Sequence, residues 1–166
     1  AIRFGRGVHD GVDAQPLFGE CLAPLAAAAR LRDFPLRRLA DLRQAPLIHD
    51  DSMRRAGRMI GWEQCLQDAG LDGVDAGRGL RFDDSHLALQ AAALGAGVAL
   101  GRLAYAAADL EAGRLVAPLP LRLPLEAGYF LLVPRGRLAS PALMTFAGWL
   151  VEEAQRFQQA LARLAA

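Results

Sequence analysis

From Gly79 to Gly101 the chain reads Gly-Leu-Arg-Phe-Asp-Asp-Ser-His-Leu-Ala-Leu-Gln-Ala-Ala-Ala-Leu-Gly-Ala-Gly-Val-Ala-Leu-Gly, and that order leaves the fold little freedom. Gly79 to Phe82 predicts a strand. Asp83, Asp84 or Ser85 then caps a helix, because a short side-chain oxygen can accept from the unpaired N–H groups of the first turn. The helix carries Leu87, Leu89, Ala91 and Leu94 and stops at Gly95. Gly97 to Leu100 predicts the next strand. A helix between two short strands is the crossover that parallel pairing requires, so the segment predicts a βαβ unit.

The rest of the chain repeats the alternation. Ala1 to Gly5 reads as the end of a strand, followed by a loop with Gly5, Gly7 and Gly11. Gln15 to Pro24 predicts a strand, Pro35 to Leu42 a short helix and Pro46 to His49 a buried strand. Gly57 to Ala69 predicts an amphipathic helix with Ile60, Cys65, Leu66 and Ala69 near one side, stopped by Gly70. Leu103 to Ala112 predicts a helix, Arg114 to Pro118 an extended segment and Tyr129 to Val133 a strand. Pro141 to Leu164 predicts a long final helix with Leu143, Phe146, Leu150, Ala154, Phe157 and Leu161 as its apolar stripe. The expected class is α/β with a largely parallel sheet.

Composition narrows the function. With 53% hydrophobic residues the chain can bury a core, and a net charge of +1 offers no electrostatic footprint for nucleic acid. No run is long enough to span a bilayer. The two cysteines, Cys21 and Cys65, stand far apart without a CxxC or His-Cys pattern, which argues against a metal site; two buried free thiols are expected, with a disulfide as the other possibility. All 19 basic residues are arginine, so Gly5-Arg6-Gly7 lacks the Gly-Lys-[Ser/Thr] of a phosphate loop. Asp84-Ser85-His86 does not make a triad, because adjacent residues of one turn do not face each other and no Gly-x-Ser-x-Gly elbow is present. His49-Asp50-Asp51 and His9-Asp10 read as turn residues. No enzyme and no cofactor are expected.

Several stretches, in order, resemble one family. Ala1-Ile2-Arg3-Phe4-Gly5 resembles the Ala-Ile-Arg-x-Gly strand of LysR-type effector domains, and Gln15-Pro16-Leu17-Phe18-Gly19-Glu20 its next strand. Trp62-Glu63-Gln64-Cys65-Leu66-Gln67-Asp68-Ala69-Gly70 is similar to the Trp-x-x-Trp-Leu-x-x-Ala-Gly helix of the branch that includes the glycine-cleavage activator. The 79–101 segment, followed by Asp109-Leu110-Glu111-Ala112-Gly113-Arg114-Leu115-Val116, resembles the family signature. The chain departs from that pattern at His9, at Cys65 and at Gly101-Arg102.

The resemblance implies a two-lobe α/β fold of the type 2 periplasmic-binding-protein kind. Residues 1–24 and 135–166 would form part of the first lobe and 25–134 the second. The opening of the first lobe and a winged helix-turn-helix would lie upstream of Ala1. It implies a cytoplasmic regulator that senses a small, anionic effector between its lobes, forms homodimers or homotetramers, touches DNA only through the upstream domain and uses no membrane. The alternative is a solute-binding protein of a transport system with the same fold.

The expected ligand-binding residues are Arg3, Phe4, Gly5, Arg6, Trp62, Phe82, Asp83, Ser85, Gly101 and Arg102. Arg3 and Arg6 flank the mouth of the first strand and either clamp a carboxylate or stand solvated on the surface. Phe82, Asp83 and Ser85 occupy a strand-to-helix turn, where free N–H groups near Ser85 and His86 favour an anion by ~0.3–1 kcal/mol. Ser85 reads both as a helix cap and as a ligand donor. Trp62 is a pocket wall or a core residue, and Gly101 and Arg102 follow a strand towards the cleft.

Overall fold

The computed structural model describes residues 1–52, 60–71, 73–135 and 140–165. In chain order the strands are β1 (Ile2–Gly5), β2 (Val12–Ala27), β3 (Leu47–Asp50), β4 (Leu80–Phe82), β5 (Val98–Arg102), β6 (Leu115–Val116) and β7 (Leu123–Pro134). The helices are α1 (Trp62–Asp68), α2 (Ser85–Ala93), α3 (Leu103–Glu111) and α4 (Pro141–Leu164). The chain divides into two compact units, one of Ala1–Cys21 with Pro124–Arg163 and one of Leu22–Leu123 with Leu164–Ala166. The change-over between these units falls at 21/22 and 123/124.

In the first unit the strand order is β1-β7-β2. β1 runs antiparallel to β7, with Arg3 opposite Phe130 and Gly5 opposite Gly128. Leu131 and Val133 alternate onto one face of β7 and meet Leu17 of β2 and Ala154 of α4 in a core that also takes in Phe18, Tyr129, Leu143, Leu150 and Val151. Phe146, expected in the apolar stripe of α4, is instead 47% exposed, beside the exposed Trp149. At 3.6 residues per turn it lies about 80° round the helix from the mean direction of Leu143, Ala147, Leu150, Val151 and Ala154, which is too far to reach the sheet.

In the second unit the order is β2-β5-β3-β4, with β6 on the far part of β2. β3 pairs parallel with β4 and β5, whereas β5 pairs antiparallel with β2, Leu22 opposite Arg102 and Leu25 opposite Ala99. The sheet is mixed, so the expected largely parallel sheet is confined to β4-β3-β5. The cause is β2, which continues past Pro24 to Ala27 and lies beside β5 in the opposite sense. All five residues of β5 are buried, as befits a strand with neighbours on both edges and α2 packed against it. The buried face of α2 is Ser85, Ala88, Leu89 and Ala92, at helical spacing, while Leu87 and Leu94 point to solvent.

Two expected helices are shorter than read. Pro35 to Leu42 yields only a 3-10 turn at Leu39–Arg43. There the Asp41 carboxylate accepts the backbone N–H groups of Arg37 and Arg38 at 2.9 and 3.1 Å, an alternative to an α-helical ladder. Those two bonds, Arg37 foremost, hold the Asp41 carboxyl below its ordinary pKa. The helix expected over Gly57 to Ala69 is seen as α1, Trp62–Asp68, and residues 57–59 of that reading lie outside the described residues.

Candidate functional site

The carboxyl end of β3 and the start of α2 meet in one corner of the second unit. Asp50 ends β3, and Ser85, 7% exposed, opens α2. The Ser85 hydroxyl donates to Asp50 Oδ2 in a short contact. Asp50 Oδ1 accepts the Ser52 N–H at 3.0 Å and the Ser52 hydroxyl at 2.5 Å. The two serine oxygens stand 3.2 Å apart. Next to them Asp51 receives both of its carboxylate contacts from Arg81 Nη1, at 3.1 and 3.2 Å.

Asp84 is the cap of α2, in extended backbone geometry, and its Oδ1 accepts from the N–H groups of His86 (2.8 Å) and Leu87 (3.1 Å). Of the three cap candidates the structure selects Asp84, because only its side chain precedes the helix by the one residue that lets it reach those amides. The amide expected to be free at His86 is thus already bonded. Phe82 is half-buried at the end of β4, and Asp83 is exposed.

A cavity of about 530 Å³ opens against the same strand ends; Asp50, Asp51, Trp62, Glu63, Asp75 and Arg81 contribute to its wall. Trp62 is both wall and core. Only 1% of it is exposed, and its indole N–H donates to the Ile48 carbonyl at 2.9 Å, so most of the ring is packed. His49, read as a turn residue, is instead a buried member of β3 whose Nε2–H donates to the Arg78 carbonyl at 2.9 Å. Asp50 likewise belongs to the strand and not to a turn.

Gly101 and Arg102 do not stand at an open edge. A Cβ on Gly101 would come 2.6 Å from Leu89 Cδ2 and 2.8 Å from Leu25 Cδ1, so this glycine lets α2 and β2 close on β5. Arg102 is 5% exposed and lays its guanidinium 4.2 Å over the Tyr105 ring, against which His86 also stacks at 4.8 Å. The structure therefore brings Ser85, Phe82 and Asp83 to one strand-helix corner, whereas Gly101 is a packing residue and Arg102 a buried one.

The remaining candidates belong to the first unit. Arg3 is exposed and makes no ion pair among the described residues, while Arg6 pairs with Glu126 at 2.7 Å with both side chains largely in solvent. Such exposed pairs contribute about 0–1 kcal/mol, so Arg6 is only loosely held. Phe4 packs against Tyr129 at 5.1 Å, and Gly5 is buried beside Gly128. Sequence reasoning missed Asp50 and Ser52. Nothing in the pattern marks them, since Asp50 meets Ser85 only through β3-β4 pairing.

Both cysteines are free, but only Cys65 is buried; Cys21, expected to be buried, is partly exposed near the middle of β2. Burial, with a smaller contribution from Asp68, pushes the Cys65 thiol up to about 12. At pH 8 its thiolate fraction is then on the order of 10⁻⁴, against a few tenths for an ordinary thiol. We expect an aromatic disulfide reagent at that pH to titrate Cys21 in the folded protein and Cys65 only after denaturation. Two rapidly reacting thiols under native conditions would contradict the burial of Cys65.

Comparison with known proteins agrees with this architecture. Residues 1–155 match the family model described as the LysR substrate binding domain. The chain is 31% identical over 160 residues to the glycine cleavage system transcriptional activator of Escherichia coli (strain K12), covering 96% of this chain and 50% of that protein. It is 34% identical over 158 residues to the HTH-type transcriptional activator AmpR of Pseudomonas aeruginosa, covering 93% of this chain and 49% of the relative. The chain thus spans about half the length of the curated relatives it matches. Among solved structures, the effector domain of AmpR from Pseudomonas aeruginosa superposes with a TM-score of 0.68 at 34% identity over 99% of this chain and 75% of that one. The AmpR effector binding domain of Citrobacter freundii gives 0.70 at 26% identity, over 93% and 74%. With its α/β strand order and its matched residues, the chain belongs to the LysR substrate-binding domain family and has that family's type 2 periplasmic-binding-protein-like fold.

Proposed function

We propose that this chain is the effector-sensing module of a LysR-type transcription regulator, that its two compact units are the lobes of that module, and that a small molecule is met in the second unit at the Asp50–Ser52–Ser85 corner. The observation that carries this reading is the likeness to a regulator's effector domain along 99% of the chain. The corner lies where open α/β folds take their ligands, outside the carboxyl ends of parallel strands. Arg3 of the first unit is exposed and makes no ion pair among the described residues, whereas Arg6 faces Glu126, so Arg3 is the first-unit arginine with a guanidinium available to an anion. The contacts bias one conformation over another only by the effector's difference in affinity for the two. This reading requires no chemical step; among the described residues the Ser85 hydroxyl bonds Asp50 and stands beside Ser52. DNA contacts belong to a region outside this chain, and the whole regulator works in the cytoplasm as a homodimer or homotetramer. The relatives are transcription activators, which favours this reading over a transport protein of the same fold.

In the whole regulator, Ser85→Ala or Arg3→Ala is expected to raise the effector concentration for half-maximal induction about tenfold, the loss of one hydrogen bond to a polar or charged group. Operator affinity should stay within about twofold. A reporter assay beside an operator-binding titration measures both; unchanged induction in both variants would remove these residues from the site.

A further inference from the structure

The connector between β2 and β3 gathers charge at the opposite end of β3 from Asp50. It enters β3 at Pro46, whose carbonyl accepts the Val98 N–H of β5 at 2.8 Å, so it closes on the amino ends of both strands. From Arg30 to Arg43 it holds five arginines and two aspartates, a net +3 within a chain whose total is +1. Leu36 and Leu42 are buried and pin the segment inward, whereas all five arginines are exposed. Arg38 is matched by Asp41, which also accepts the backbone N–H groups of Arg37 and Arg38. Arg30, Arg32 and Arg37 make no ion pair among the described residues. A Cβ on Gly73 would meet Arg43 Nη2 at 3.8 Å, and Gly73 follows Asp72, the only side-chain carboxylate outside the described residues, so the surface rests on Arg30, Arg32 and Arg37.

Apolar surface lies beside this charge. A Cβ on Gly95 would meet Arg30 Cδ at 3.8 Å, which sets the Arg30 stem over the turn that follows α2, next to Leu94. Leu94 is 88% exposed. Leu31 and Phe34, half-buried, and Pro35, exposed, belong to the same connector. Nucleic acid calls for an unbroken basic stripe, and here Asp33 interrupts the arginines while the rest of the chain is net negative. Arginine beside exposed leucine has instead the composition of a protein interface. The electrostatic complement of such a surface is a set of carboxylates, which the guanidinium fork binds in pairs.

We propose that Arg30, Arg32 and Arg37, with Leu94, form a docking surface for a protein partner that presents carboxylates beside an apolar side chain. The surface is separate from the Asp50–Ser52–Ser85 corner and stands whether or not that corner meets an effector. Exposed charge pairs are individually weak, so the three arginines act together and their hold loosens as salt is added. Leu94 supplies the share that salt does not screen.

The test uses the full-length regulator and a fluorescein-labelled peptide, Glu-Leu-Glu-Asp-Phe-Glu-Leu, beside its uncharged counterpart Gln-Leu-Gln-Asn-Phe-Gln-Leu, both read by fluorescence anisotropy. Only the acidic peptide is expected to bind. Replacing Arg30, Arg32 and Arg37 together by Gln should weaken it about tenfold, as the loss of three exposed pairs does. Arg32→Glu alone should weaken it about fivefold, which gives a second reading from a single surface change. Leu94→Ser should weaken it about threefold, a loss that attraction between charges alone would not show. Affinity unmoved by the arginine changes or by Leu94→Ser would overturn the proposal, and so would equal binding of the two peptides. A loss confined to non-operator duplex DNA would overturn it by making the surface a nucleic-acid contact. A lower sedimentation mass with peptide binding unchanged would overturn it by making the surface an interface between copies of the chain.

Discussion

Gly79→Ala is expected to destabilise the second unit more than any other single added methyl group. Gly79 has φ +104, which L side chains rarely adopt, and a Cβ there would lie 1.9 Å from the Leu47 carbonyl oxygen. The atom in the way is backbone of the neighbouring strand, so no rotamer change relieves the overlap. Either β4 shifts off β3, breaking the Ile48–Leu80 register, or the Gly79 turn reopens. Backbone strain of this kind costs about 1–3 kcal/mol by itself, and the displaced pairing adds to it. A loss of about 3 kcal/mol or more is a large share of the ~5–15 kcal/mol that holds a domain together. Gly113→Ala is the control: φ is +67 there, but nothing lies within 4 Å of the added carbon, so only the conformational cost of about 1 kcal/mol should appear. Urea unfolding of both variants measures the difference. Equal midpoints would show that the close approach of Leu47 does not govern this turn.

Trp62→Ala should be nearly as damaging, and for a different reason. The ring is almost wholly buried on α1 beside Cys65 and Leu66, and removing it leaves a large hole in the helix-sheet interface. Deletions of this size cost about 3–5 kcal/mol. The Ile48 carbonyl also loses its indole N–H donor, worth a further ~1 kcal/mol. Trp62→Phe keeps most of the packing and should lose about 1–2 kcal/mol less than the alanine variant. If Trp62 were chiefly a ligand wall, both variants would keep wild-type unfolding midpoints and change only the effector response. Calorimetric or denaturant unfolding without effector decides between the two.

These two positions show how legible the chain was. The βαβ segment from Gly79 to Gly101 could be read directly, because its boundaries carry local physical reasons: a capping residue among Asp83, Asp84 and Ser85, of which the structure selects Asp84, and a helix stop at Gly95. β5 and α3 followed from their apolar runs. β2 was expected to end at Pro24, whereas it runs to Ala27. The strand runs on because Pro24 lies opposite Leu100 in the antiparallel pair with β5, a neighbour no local pattern names. The 3-10 turn at Leu39–Arg43 was read as a helix because leucines three apart suit both, and the bonds from Arg37 and Arg38 to Asp41 become visible only in three dimensions.

The candidate corner divides in the same way. Ser85 and its turn were singled out from the strand-to-helix signature, and Trp62 from its helix, but their hydrogen-bond partners were not legible. Asp50 and Ser52 become partners of Ser85 only when β3 and β4 pair in parallel, because that register sets the end of β3 beside the start of α2. Gly101 looked like a cleft residue by position, yet its missing Cβ serves the approach of Leu89 and Leu25.

By itself the sequence determined the alternation of strands and helices, the caps and stops that bound them, and the family to which they belong, since all of these rest on neighbours a few residues apart. The tertiary structure alone decided which strands pair and in which sense, which faces of α2 and α4 are buried, and where each hydroxyl hydrogen goes. Those depend on contacts between residues tens of positions apart, such as Asp50 with Ser85 and Gly79 with Leu47, whose energies exist only once the chain has closed on itself.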